Sequence, residues 1–318
     1  MLKTDRRQFI KQIALSLGAL SYIGLGSSCN KKQPGAGQPW NGFKYAMCNE
    51  SMQSLSWQEQ CKIIADAGYK GVEIAPFTLV QQSLADLDSD KRRELRTIME
   101  ESGLQCAGLH WLLAPPPPNL HFTTPDKKTR DNAISYLYQL IDFCAAMGGE
   151  VMVFGSPKQR STQGIPVAEA KKYFAEGLSL AATYAQQNNV KILIEPLDKS
   201  QSDVVNTLAE ALQIVKIVDH PAVQLMFDFH NTPDETQPCD ELVNRFLDYI
   251  FHVHVQEMDG KHLRNGNKVD EFIKTFQILK NRNYSRWISV EVFDFTPGGQ
   301  IIARESMQTL RAIERQLV

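Results

Sequence analysis

The chain has little of several things, and each shortage excludes something. Its charges nearly balance, 34 Lys+Arg against 36 Asp+Glu in 318 residues, so the basic excess of a nucleic-acid binder is missing. None of its six Cys stands in C-x-x-C spacing, which argues against a zinc ribbon or a disulfide framework and leaves buried thiols as the reading. With 19 Gly and 15 Pro the chain is neither collagen-like nor low-complexity. No G-x-G-x-x-G follows the first strand-like run, so a doubly wound dinucleotide-binding sheet lacks its main motif. One apolar stretch, Ile13 to Leu25, could be taken for a membrane span, but about 13 residues are too short for a roughly 30 Å hydrocarbon core. What is plentiful is apolar surface: 43% hydrophobic against 22% charged residues, the composition of a folded globular chain and not of a disordered one.

Residues 1–29 read as an address. A basic region (Lys3, Arg6, Arg7, Lys11) precedes the apolar stretch, and small residues lead to Cys29. Asp5-Arg6-Arg7-Gln8-Phe9-Ile10-Lys11 resembles the twin-arginine export motif, and Gly26-Ser27-Ser28-Cys29 resembles a lipoprotein cleavage site with Cys29 as the lipidated residue. A plain signal peptide cut nearby is the alternative. The expectation is an envelope location in a bacterium, periplasmic or membrane-anchored, with residues 30–42 as a tether. Removing residues 1–28 takes away four basic residues and one acidic one, leaving 30 Lys+Arg against 35 Asp+Glu.

From residue 43 to 318 the pattern alternates. Short β-branched runs at 43–48, 71–74, 105–109, 151–154, 191–194, 223–227, 251–255 and 287–292 are separated by stretches with apolar residues three and four apart. Those stretches are 57–67, 91–102, 130–147, 167–187, 204–218, 241–249, 269–280 and 301–315. Ala67-Gly68, Ser102-Gly103 and Met147-Gly148 read as helix ends, and Ser56 and Asp203 as N-caps. Eight such units predict a single (β/α)₈ TIM barrel, with Pro115 to Pro118 on the rim after the third strand.

In such barrels chemistry sits at the carboxyl ends of the strands. Those ends here carry Glu73, His110, Glu195, Asp228 with His230, His254 and Glu291. Glu195, Asp228, His254 and Glu291 are 33, 26 and 37 residues apart, about one βα unit each, so they should converge near the axis. Three carboxylates and an imidazole in one mouth repel unless a cation joins them. Mixed O/N ligation suits Mn²⁺, Co²⁺, Zn²⁺ or Mg²⁺. Strand alternation is expected to turn the neighbouring His252 away from the axis, and His121 and His220 read as structural. A cation that chelates a carbonyl and the adjacent hydroxyl eases removal of the proton between them, through an enediolate. One carboxylate takes the proton and a second returns it. His110, Lys158 and His230 could hold substrate hydroxyls, and Arg160 could meet an anion. The expected partner is a small sugar or keto-sugar.

The set Glu195-Pro196-Leu197, Phe227-Asp228-Phe229-His230, His252-Val253-His254 and Val290-Glu291-Val292 resembles the sugar-phosphate isomerase/epimerase family with a xylose-isomerase-like barrel, whose members include hydroxypyruvate isomerases and ketose 3-epimerases. Gly71 to Phe77 and Gly155 to Ser161 are similar to strand-end segments of that family. The resemblance spans residues 43 to about 316. It implies one divalent ion on Glu195, Asp228, His254 and Glu291, proton exchange through Glu195 and Glu291, and substrate contacts from Glu73 and from Glu257, three residues past His254. Two positions depart from the ketose 3-epimerase pattern: Gln201 stands where an acid is common, and His230 lies two residues past Asp228 instead of three. A metal-dependent lyase or hydrolase on keto-sugars or keto-glycosides, and an inactive carbohydrate-binding barrel, are the competing readings.

Overall fold

The computed structural model describes residues 40–264 and 269–318; the signal-like segment, Cys29 and most of the expected tether lie outside them. Eight parallel strands close a ring in chain order: β1 (Lys44–Cys48), β2 (Gly71–Ile74), β3 (Gln105–Leu109), β4 (Val151–Phe154), β5 (Lys191–Ile194), β6 (Val223–Asp228), β7 (Ile250–Val255) and β8 (Trp287–Val290). β8 pairs with β1 through Lys44↔Trp287 to Met47↔Val290. The helices between them are α1 (Trp57–Ala67), α2 (Ser89–Glu101), α3 (Lys127–Met147), α4 (Val167–Gln187), α5 (Leu208–Val218), α6 (Cys239–Phe246), α7 (Val269–Asn281) and α8 (Gly299–Glu314).

Local chemistry explains most boundaries. Ser56 closes a capping box on α1: its hydroxyl accepts from Glu59 N–H and its own N–H donates to the Glu59 carboxylate. Gly68 ends that helix at φ 101°, a conformation costly for any residue with a Cβ. Asp203, expected as a cap, is not one. Its carboxylate accepts the backbone N–H of Thr162 at 2.9 Å, and α5 starts five residues later behind Thr207, whose hydroxyl accepts from Glu210 N–H. An acid near a helix start binds whichever orphan donor lies closest, and here that donor is on another loop. The expected tether ends earlier than residue 42: Trp40 belongs to the packed unit, with its ring edge-on to Phe43 at 5.0 Å.

Alternation along each strand splits the core. Outward residues such as Val72, Ile74, Ile192, Ile194, Val253, Val255 and Val290 join one large cluster with the helices. A second, smaller cluster holds Val151, Val153, Leu193 and Met226. These share strand parity with Gly155, Glu195 and Asp228, so the floor below the β4–β6 strand ends is apolar. The opposite half of the interior is polar, because β2, β7 and β8 place Glu73, His252 and Ser289 there, all buried.

Candidate metal centre and its cavity

Glu195 follows β5, Asp228 ends β6, His254 stands in β7 and Glu291 follows β8. Asp228 and His254 are direct register partners. One donor atom from each of the four lies within 4.8 Å of every other, and all four are at most 6% exposed. The expected convergence is present.

Each donor is held by a neighbour. His254 Nδ1 lies 3.0 Å from Glu291 Oε2, and its Nε2 is 3.1 Å from Glu73 Oε1. Glu73 also binds His252 Nε2 at 2.7 Å, and that nitrogen reaches Ser289 Oγ at 2.9 Å. His252 therefore faces the interior, contrary to expectation, because residues two apart in a strand share a face. Glu73 sits behind His254, orienting it from below. This is the usual device for fixing an imidazole's tautomer and angle. Trp111 Nε1 donates to Glu291 Oε1 at 2.8 Å. Asn231 Nδ2 donates to both Glu195 Oε1 (2.9 Å) and Asp228 Oδ2 (2.8 Å). Gly155 leaves room for Glu195, since a Cβ there would come within 2.2 Å of Oε2. Arg160, fully buried, donates through Nη1 to the carbonyls of Phe154 and Glu195. It braces the β4 and β5 ends and meets no rim anion.

The electrostatics are those of a crowded anionic site. Burial, with Glu291 adding to it, pushes the Glu195 carboxyl well above the usual carboxylate range. Burial and Glu291 likewise raise Asp228 to about 6. Burial would raise Glu291 too, but His254 beside it outweighs that and holds it low. His254 is raised well above its ordinary value, because Glu73 and Glu291 overcome its burial. Three carboxylates and an imidazole so disposed fit a hard or borderline divalent cation, which would offset the repulsion that raises Glu195 and Asp228.

A cavity of about 510 Å³ opens above the quartet, with Glu195 and Glu291 in its wall. His110, Lys158 and His230 line it as expected, with Trp111, Asn231, Gln201 and Phe293. The ring of Phe293 lies 5.1 Å from that of His230 and 6.4 Å from that of Trp111. Ala114 and Pro115 bring the proline-rich loop to the same wall. His230 Nδ1 donates to Met258 O at 3.0 Å. Glu73 and Glu257 are not in the lining: Glu73 lies beneath His254, and the Glu257 carboxylate is taken by Arg264, Nη2 to Oε2 at 2.5 Å. Gln201 donates to Asn231 Oδ1 at 2.6 Å, tying it to the residue that bridges Glu195 and Asp228.

Sequence reasoning passed over Asn231, Trp111 and Glu50. Asn231 was findable, since it is the residue three past Asp228 and one beyond His230. Trp111 follows His110 directly, but nothing in the sequence announces a contact 180 residues away. Glu50 lies in a 3₁₀ turn after β1 and binds His110 Nε2 at 2.8 Å.

The family model described as "Xylose isomerase-like TIM barrel" matches residues 61–313. A probable ketose 3-epimerase of Synechocystis is 24% identical over 77% of this chain and 86% of its own length. The 3-dehydro-D-guloside 4-epimerase of Escherichia coli is 22% identical over 80% and 90%. An inosose dehydratase of Clostridium beijerinckii is 25% identical over 53% and 64%. Among solved structures, the 3-keto-D-glucoside 4-epimerase of E. coli superposes with a TM-score of 0.72 at 19% identity, covering 85% of this chain and all of its own. The D-psicose 3-epimerase of Clostridium cellulolyticum gives 0.74 at 17%, over 86% and 99%.

Proposed function

Because the chain belongs to the xylose isomerase-like TIM-barrel family, whose sugar epimerases are among its relatives, we propose that it is a divalent-metal-dependent sugar epimerase or isomerase working by proton transfer next to a carbonyl. The observation that carries this reading is geometric: Glu195, Asp228, His254 and Glu291 bring one donor atom each to a common point, and Glu195 and Glu291 both stand in the wall of one cavity. Two carboxylates so placed can serve as the acid and the base of a proton transfer.

When bound on Glu195, Asp228, His254 and Glu291, a divalent ion would supply a Lewis acid for the carbonyl and its neighbouring hydroxyl. The chain does the rest. Glu291, aligned by Trp111 and His254, removes the proton next to the carbonyl. Glu195, held by Asn231 and accommodated by Gly155, returns a proton from the other side, since β5 and β8 lie three steps apart around the ring. His230 and Lys158 on the wall hold hydroxyls, and Trp111 with Phe293 presents apolar faces to the C–H side of a sugar. The substrate is a free ketose, a keto-sugar or a keto-glycoside. The inosose dehydratase relative favours one second reading, elimination of water after the same proton abstraction. We also propose that the enzyme leaves the cytoplasm by the twin-arginine route and is lipidated at Cys29, which rests on the motif residues alone.

The test is turnover of the metal-loaded protein on a panel of ketoses and keto-glycosides in D₂O, followed by NMR. Deuterium should enter at the carbon next to the carbonyl, and Glu291→Gln should lower turnover by about 10²–10⁴-fold at saturating metal. Turnover with no solvent deuterium would refute proton transfer and indicate a hydride shift. Net loss or gain of water would move the assignment to the lyase reading.

A further inference from the structure

Beside the quartet lies a second group of donors that the proposed reaction leaves unused. Cys48 at the end of β1, Glu50 in the 3₁₀ turn that follows, and His110 just past β3 each offer an atom within 4.8 Å of the other two. All three are at most 1% exposed. Glu50 and His110 share one hydrogen bond, yet among the described residues Glu50 Oε1 and His110 Nδ1 have no hydrogen-bond partner, Nδ1 lying 3.9 Å from Glu73 Oε1. Buried polar atoms in native folds are nearly always satisfied. Here the two orphans belong to adjacent side chains of one buried donor set.

We propose that Cys48, Glu50 and His110 form a second cation site, adjoining the first and open to the same cavity through His110, which takes a borderline-soft ion such as Zn²⁺ or Co²⁺. Thiolate, imidazole and carboxylate together select that class over Mg²⁺, and of the three donors His110 alone lines the cavity. The rings of His110 and His254 meet edge-on at 6.1 Å between centroids, so the two ions would be neighbours with separate ligands. Cys48 is a thiol in the metal-free site, raised by burial and by Glu73 and Glu50. Binding therefore exchanges the thiol proton for the S–metal bond and releases that proton to solvent.

Cobalt titration of the metal-free full-length protein under reducing conditions tests this. Two equivalents should bind, one of them bringing the intense near-ultraviolet thiolate-to-cobalt band. Cys48→Ser should abolish the band and one equivalent while the other remains. Asp228→Asn, which damages only the quartet, should keep the band. If Cys48→Ser does not fold, Glu50→Gln replaces it and should weaken the band-forming equivalent at least tenfold. A single equivalent without a thiolate band, or a band that survives Cys48→Ser, overturns the proposal. Neither outcome bears on the epimerase reading, which stands or falls on deuterium exchange.

Discussion

Asp228→Asn should make the metal-free protein more stable and the metal-loaded protein less so. In the structure Asp228 is buried beside Glu195 and Glu291, and its carboxyl is raised from the ordinary 3.8 to about 6. At neutral pH the fold holds it ionised against that bias. About two pH units at 1.36 kcal/mol each make this a cost of ~3 kcal/mol. The amide removes the charge and keeps the acceptor for His230 N–H, which donates to Oδ1 at 2.9 Å. It turns an NH₂ toward Asn231 in place of Oδ2, losing one hydrogen bond of ~1 kcal/mol. The net gain of ~2 kcal/mol corresponds to a Tm higher by about 4 °C for a domain of this size. The sign follows from linkage. A carboxyl whose folded value lies above its unfolded value contributes no penalty below about pH 4, and the penalty is complete above about pH 6. At pH 4 only the lost hydrogen bond counts, so in EDTA-treated protein the variant should melt about 2 °C below wild type, and the order should cross as the pH rises to 6. With Mn²⁺ or Co²⁺ added the order should reverse, because a ligand has been lost and affinity should fall at least tenfold. A metal-free variant that melts below wild type at pH 7, or an unchanged metal affinity, would refute the account of a repulsive site awaiting a cation.

Three further outcomes are expected. Gly155→Ala, whose Cβ would collide with Glu195 Oε2 at 2.2 Å, should weaken metal binding measured by calorimetry while far-ultraviolet dichroism stays that of wild type. Asn231→Ala removes the donor shared by Glu195 and Asp228 and should cost about 10–100-fold in metal affinity, as the loss of supporting contacts typically does. In cells, replacing Arg6 and Arg7 by Lys should retain the protein in the cytoplasm, and Cys29→Ala should abolish labelling by a fatty-acid probe; wild-type protein found soluble in the cytoplasm would end that reading.

The barrel was legible because each βα unit repeats one physical pattern. β2, β3, β4 and β5, with α1 and α4, fall on the boundaries that periodicity predicts. Ends set by long-range partners were less legible: α5 begins at Leu208, four residues after the predicted start, because the chain first folds over itself, with Leu197 N–H donating to Val205 O. Within the site, residues on the strands could be placed by spacing, since register converts sequence separation into position. His252 was misplaced although the rule that governs it is simple, the two-residue period that gives it the same face as His254. Glu73 and Glu257 show a different limit. A carboxylate at a strand end can face the cavity or turn to a buried partner, and whether His254 or Arg264 waits beside it depends on loops and neighbours that spacing does not encode.

The β1–β8 seam has a consequence for the order of events in a cell. Lys44 and Trp287 are partners, so the ring cannot close until nearly the whole chain has left the ribosome, and the last donor of the quartet, Glu291, is delivered only then. With the quartet as the proposed ion site, ion selection would be a late decision, made wherever folding finishes. A chain moved across a membrane unfolded would draw on the metals of its destination. One moved after folding would carry outward whichever ion the cytoplasm supplied, with the choice sealed before departure.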